Sequence, residues 1–188
     1  MKKKIFTIAV IAIVASLAAY GTLAYFTYED SAENVITTGN VKIALEELSL
    51  TDDGELIPFD GAYDVMPGED VSKIVQVKNT GSQDAWIRIS VDKAITLADG
   101  ITEEADISLI TYGVNTDSWT EKDGFYYYSS ALKAGETTEP LFKEVHFSAE
   151  MGNMYQSSTA VIIVTAQATQ VKNNGATVLE AAGWPDAE

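Results

Sequence analysis

Alternation of apolar and polar positions dominates the chain beyond residue 40. Val41-Lys42-Ile43-Ala44-Leu45, Ile74-Val75-Gln76-Val77-Lys78 and Trp86-Ile87-Arg88-Ile89-Ser90-Val91 each repeat with period two, as a strand with one dry and one wet face does. In the last of these, Ile87, Ile89 and Val91 form the dry face and Trp86, Arg88 and Ser90 the wet one. Residues 107–112, 125–129, 141–148 and 159–171 read as further strands. Helical signals are weak: residues 101–105 read as a short turn and residues 179–182 as another.

Turn chemistry punctuates these runs: Asp52-Asp53-Gly54, Met66-Pro67-Gly68, Asn79-Thr80-Gly81, Lys122-Asp123-Gly124, Ala134-Gly135 and Asn173-Asn174-Gly175. Pro67 and Gly68 suit the two central positions of a type II turn that leads into a strand from Val71. Asn79-Thr80-Gly81 and Lys122-Asp123-Gly124 read as hairpin connections, the first joining strand 72–79 to strand 84–92, the second joining Trp119 to Tyr126, both antiparallel. Many short strands with regular punctuation predict an all-β fold, an antiparallel β-sandwich of jelly-roll type.

The first thirty residues follow another pattern. Lys2, Lys3 and Lys4 precede an apolar stretch over residues 5–19, and small residues follow, the layout of a bacterial secretory signal with a hydrophobic helix. Thr22 and Ala24 are small enough for the shallow pockets of a signal peptidase, so cleavage after Ala24 leaves Tyr25 as the new N-terminus. Ala18-Ala19 offers a second bond, and an uncleaved segment over residues 5–26 has about the roughly 20 residues needed to span a bilayer. Membrane contact is expected only through that uncleaved segment.

Charge then narrows the partners. Without the three lysines of residues 1–24, nine of the 12 basic residues face 28 acidic ones, and the formal charge moves from −16 to −19. Such a surface repels nucleic acid and anionic membranes, so no nucleic-acid partner is expected. The chain has no cysteine, so disulfides, thiolate metal sites and Cys nucleophiles are absent. The 164 residues after the signal suffice for one domain of ordinary size.

Four blocks carry a family resemblance. GTLAYFTYEDSAENVITTGNVKIALEE, with Thr38-Gly39-Asn40-Val41 opening a strand, resembles the N-terminus of the TasA/camelysin family. MPGEDVSKIVQVKNTGSQDAWIRI is similar to that family's P-G-[DE] turn, strand and N-x-G hairpin. Asn153-Met154-Tyr155-Gln156, with the strand that ends in Ala168-Thr169-Gln170, resembles its final block, and WTEKDGFYYYSSALKAGETTEPLF a block of clostridial-type relatives. The resemblance implies an exported Gram-positive protein processed by a SipW-type signal peptidase. It further implies a jelly roll that builds extracellular fibres of the biofilm matrix or cell surface, as a head-to-tail homopolymer or with a related matrix subunit. In such assembly an N-terminal strand completes the sheet of the next subunit. Donor-strand addition of this kind satisfies an open sheet edge and propagates without closing.

The matching segment here is residues 25–36. Tyr25, Phe26, Thr27 and Tyr28 form the candidate assembly strand, with Phe26 and Tyr28 on one face and Tyr25 and Thr27 on the other, and residues 29–34 are polar enough to act as a hinge. An ordinary first strand within its own domain is the alternative. The expected organisation is a signal peptide over 1–24, the strand and hinge over 25–36, the jelly roll over 37–175 and a tail over 176–188.

Enzymatic readings are weak by comparison. Camelysin-type relatives are described as metallopeptidases, yet His146 is the only histidine, H-E-x-x-H is absent, and a triad would need that same histidine without a G-x-S-x-G elbow. Glu144 shares a strand face with His146, a pair but no site. No catalytic residue, resident metal or cofactor is expected. Asp52, Asp53, Glu55 and Asp60 offer hard oxygens to Ca²⁺ only weakly, since the calcium-loop spacing is missing. Tyr126-Tyr127-Tyr128 reads as one buried tyrosine between two at a rim, with a carbohydrate-stacking surface as the rival, and residues 159–169 as the middle of the sandwich. A monomeric surface- or glycan-binding module is the alternative function.

Overall fold

A computed structural model describes residues 26–30, 34–37, 41–59 and 61–185. Among these residues twelve strands run in chain order: β1 Phe26–Asp30, β2 Asn34–Thr37, β3 Ile43–Leu50, β4 Leu56–Pro58, β5 Ala62–Val65, β6 Asp70–Asn79, β7 Ala85–Thr96, β8 Ile110–Tyr112, β9 Trp119–Lys122, β10 Phe125–Tyr128, β11 Phe142–Phe147 and β12 Thr159–Gln170. The fold is all-β, in two sheets. One has the order β5-β1-β12-β7-β10-β9 with β2 also on β12, the other β4-β3-β6-β11-β8.

The period-two pattern becomes the core. From one sheet Ile87, Ile89, Ile162, Val164 and Ala166 point inward, and from the other Ile43, Leu45, Val75, Val77, Val145 and Phe147, in a single buried cluster. Burial of apolar area, at about 25 cal/mol per Å², is what holds the two sheets face to face. The long pairing of β12 with β7, from Thr159 opposite Thr96 to Gln170 opposite Ala85, places β12 centrally, as its composition predicts.

Two turns form as read. Gly68 has φ +87° and the Glu69 amide donates to the Met66 carbonyl at 3.1 Å, the type II geometry expected around Pro67. Asp123 and Gly124, at φ +52° and +80°, make a two-residue turn between β9 and β10, with Lys122 opposite Phe125.

Other expectations are corrected. Asn79-Thr80-Gly81 is a crossover, since β6 and β7 lie in different sheets. The buried Asn79 amide nitrogen donates to the Gln83 and Leu132 carbonyls at 2.8 and 3.0 Å, while its oxygen accepts from the Gly81 amide at 3.0 Å. Those bonds hold a corner open where a hairpin would close. The sheets are not wholly antiparallel, because β1 and β2 both run parallel to β12. Residues 107–109 form a 3₁₀ turn before β8, and the turn placed at 101–105 lies earlier, closed by the Ile101 amide on the Ala98 carbonyl. The expected wet face of β7 is partly covered: Trp86 is buried.

Candidate functional site

β12 offers a long apolar edge whose inward residues Ala160, Ile162, Val164, Ala166 and Ala168 are buried. Opposite β7, the N-terminal segment fills the other side. Thr27 to Asp30 pair in parallel with Thr159 to Ile162, and Asn34 to Thr37 with Thr165 to Ala168. Four steps from Asp30 to Asn34 thus match three from Ile162 to Thr165, so the segment carries one residue more than its partner strand. On its far side β1 pairs antiparallel with β5, Phe26 opposite Val65 and Glu29 opposite Ala62. Among the described residues β5 ends the sheet and reaches β12 only through β1.

Of the proposed assembly residues, Phe26, Thr27 and Tyr28 therefore form part of β1 within the chain's own sheet, the geometry of an ordinary first strand. Thr22, Ala24 and Tyr25 lie outside the described residues, as do the whole signal segment 1–24, hinge residues 31–33, the strand opening Thr38-Gly39-Asn40, and Asp60.

The outer face of the same sheet carries a second constellation. Arg88 sits on β7 between Tyr127 of β10 and Gln167 of β12 in adjacent registers. Its Nε donates to Gln167 Oε1 at 2.7 Å and Nη1 to the Tyr127 hydroxyl at 3.3 Å. The guanidinium lies 3.8 Å from the Phe125 ring centre and 4.7 Å from that of Trp184, and Nη2 reaches the Pro185 carbonyl. Residues 176–185 fold back to make these contacts, and the tail's own Val178 is buried with Trp86 and Tyr127 beneath it. Asn174 fastens the return: its amide nitrogen donates to the Ala182 carbonyl at 3.0 Å and its oxygen accepts from the Ala182 amide at 2.8 Å. At Gly175 an added Cβ would lie 2.5 Å from the Glu180 carbonyl carbon, so only glycine fits.

At the sandwich rim, Tyr112 and Tyr126 bring their hydroxyls to 3.3 Å across the two sheets. Burial, then the bond to Tyr126, holds the Tyr112 hydroxyl proton well beyond the usual tyrosine range. Lys93 donates to the Ile110 carbonyl at 2.6 Å, and burial lowers its pKa against the opposing pull of Asp106.

His146 meets Asp70, not Glu144: Nδ1 lies 2.7 Å from Asp70 Oδ1, because β11 and β6 place these two residues opposite each other, while Glu144 faces Ser72. Asp52, Asp53 and Glu55 occupy an exposed loop between β3 and β4. Among the described residues no three His, Cys, Asp or Glu side chains group as metal ligands. Tyr127 is buried with Tyr126 and Tyr128 half-buried, as the repeat predicts, though what buries Tyr127 is the tail.

Comparison of the chain with protein-family models, with curated proteins and with solved structures finds no match. Fold and sites together define a two-sheet β domain whose N-terminal segment fills the β12 edge and whose C-terminal tail covers an outer face. Sequence reading missed the Arg88 constellation. Trp184-Pro185 near the chain end was its visible signal, but the target face emerges only once β7, β10 and β12 are in register.

Proposed function

We propose that this chain is an exported, non-enzymatic structural protein of the extracellular biofilm matrix or cell surface, in the manner of the TasA/camelysin family. It polymerises when residues 25–36 of one copy complete the sheet of the next. The observation that carries the reading is the placement of β1 and β2, both parallel to β12: among the described residues β1 is the sole sheet link of β5. Withdrawing such a segment bares backbone donors and acceptors on two strands at once, and an incoming copy satisfies both. The partner is a second copy or a related matrix subunit, met after a SipW-type peptidase cuts behind Ala24, and the unprocessed signal helix is the only membrane contact. No resident cofactor enters this reading, with Ca²⁺ at the acidic loop a minor alternative. A jelly-roll description draws support from strand alternation, since β5 to β8 fall in successive opposite sheets, as do β10, β11 and β12.

A surface- or glycan-binding monomer is the second reading. It is favoured by Phe125 and Trp184, half-buried aromatic rings that both contact Arg88. Negative-stain microscopy of the chain starting at Tyr25, assembled at about millimolar concentration and beside the same chain lacking residues 25–34, separates the two. Fibres from the first and none from the second are expected. Indistinguishable monomers from both would overturn strand donation.

A further inference from the structure

An amine and a carboxylate face each other inside the sandwich. Glu47 lies in the inward row of β3 with Ile43 and Leu45, and Lys73 in the inward row of β6 with Val71, Val75 and Val77. The Lys73 side chain is 0% exposed and that of Glu47 4%, with Nζ 2.7 Å from Oε1. The Phe59 ring centre sits 4.0 Å from the same Nζ, and the Phe59 amide donates to the Glu47 carbonyl at 3.0 Å, which anchors the ring to the carboxylate's own strand. As an ion pair this arrangement is a poor device for stability: the cost of desolvating two charges offsets much of their attraction, and apolar replacements of like volume are often neutral or better.

We propose that Glu47 and Lys73 are the site of an intramolecular amide cross-link between β3 and β6. One proton transfer within the pair gives a neutral amine and a neutral acid, the forms that react. From that state the Nζ lone pair attacks Cδ, and the carbonyl π pair moves onto oxygen. As the carbonyl re-forms, the hydroxyl leaves with a proton from nitrogen. One Cδ–Nζ bond forms, one Cδ–O bond breaks, one water departs, and nothing is oxidised or reduced. Adding a carboxyl C–O length of about 1.2 Å to the contact puts Nζ no more than about 3.9 Å from Cδ. Near-attack separations are about 3–3.5 Å, and groups so held reach effective molarities of about 10⁵–10⁸ M. Strand pairing from Ile43 opposite Asn79 to Leu48 opposite Ile74 supplies the fixed approach. The link would tie neighbouring strands of the second sheet covalently in a chain that has no cysteine, and it is independent of whether the chain assembles.

Intact mass spectrometry of the folded, then denatured, full chain tests this. The expected mass is about 18 Da below that of the sequence, the loss of one water, with proteolysis yielding one joined peptide containing Glu47 and Lys73. Lys73→Arg should return the full sequence mass. Because that variant could fail to fold, Glu47→Gln provides an independent readout: the same bond formed from a carboxamide releases ammonia, so the loss becomes about 17 Da and maps to the same two positions. A wild-type chain at full sequence mass, or a loss that maps elsewhere, overturns the proposal and leaves a plain buried ion pair.

Discussion

Replacing Trp184 by alanine tests whether the tail is a structural cover. The indole makes an edge-on contact with Tyr127 at 5.8 Å and 80°, stacks on Arg88 at 4.7 Å, and donates to the Ala181 carbonyl at 3.0 Å. Such contacts contribute about 0.5–1.5 kcal/mol for the aromatic pair, about 0.5–1 for a half-exposed cation–π contact and about 1 for the hydrogen bond. All three act on one ring and overlap, so a loss of about 2 kcal/mol is expected, or about 4–8 °C in Tm for a chain of this size. Truncation after Gly175 sets the ceiling, because a mutation that opens the tail cannot cost more than the tail's whole contribution. Thermal and urea unfolding give the magnitude, and quenching of Trp86 fluorescence gives the mechanism: the buried indole should become accessible in both variants. If truncation leaves Tm within about 1 °C and Trp86 stays shielded, the outer face is not held by this tail and the argument fails.

Asn79→Ala should destabilise by about 2–4 kcal/mol in urea unfolding, since it removes three hydrogen bonds at a buried corner; a loss below about 0.5 kcal/mol would show that the crossover does not need its amide. Tyr112→Phe probes alkaline pH. The folded state keeps the Tyr112 proton where an unfolded tyrosine loses it near pH 10 or so, so the unfolded state binds fewer protons and wild-type stability falls as pH rises from there. Lys93 acts in the opposite sense, its lowered pKa making stability rise with pH, but it is common to both proteins and drops out of the difference. The Tm advantage of wild type over the variant should therefore shrink between about pH 9 and pH 11; a constant gap would contradict it.

Much of the fold is written in local patterns. Ile87 and Ile89 declare an inward face by period two, Pro67-Gly68 and Asp123-Gly124 dictate their turns through φ, and all of these hold in the structure. What fails is what depends on distant partners. Asn79-Thr80-Gly81 carries hairpin chemistry, yet the amide that could close a hairpin is engaged by Leu132, 53 positions away. Trp86 and Arg88 read as a wet face because nothing near them in sequence announces a cover, which arrives almost a hundred positions later with Trp184 and Pro185. The short strands β4 and β5 give too few residues for any periodicity to register. For the candidate site, the β-prone Phe26-Thr27-Tyr28 was legible, whereas its parallel alignment with β12 was not, since composition carries no strand direction.

That alignment constrains assembly. A donated strand would make in another copy the same backbone pairs that β1 and β2 make in their own, so the exchange is decided by connection and concentration. Five residues, 38–42, join β2 in one sheet to β3 in the other; they can reach about 17 Å, against a sheet separation of about 10 Å. The intramolecular strand is thus delivered by a short tether, which sets an effective concentration in the millimolar range. Exchange between copies must compete with that. If the chain assembles as proposed, dilute protein should therefore remain monomeric, and strand donation should take over at about millimolar chain concentration or at a fibre end whose β12 edge is unfilled. The same short connection would then hold successive subunits close, which gives a fibre a regular repeat without any further contact between domains.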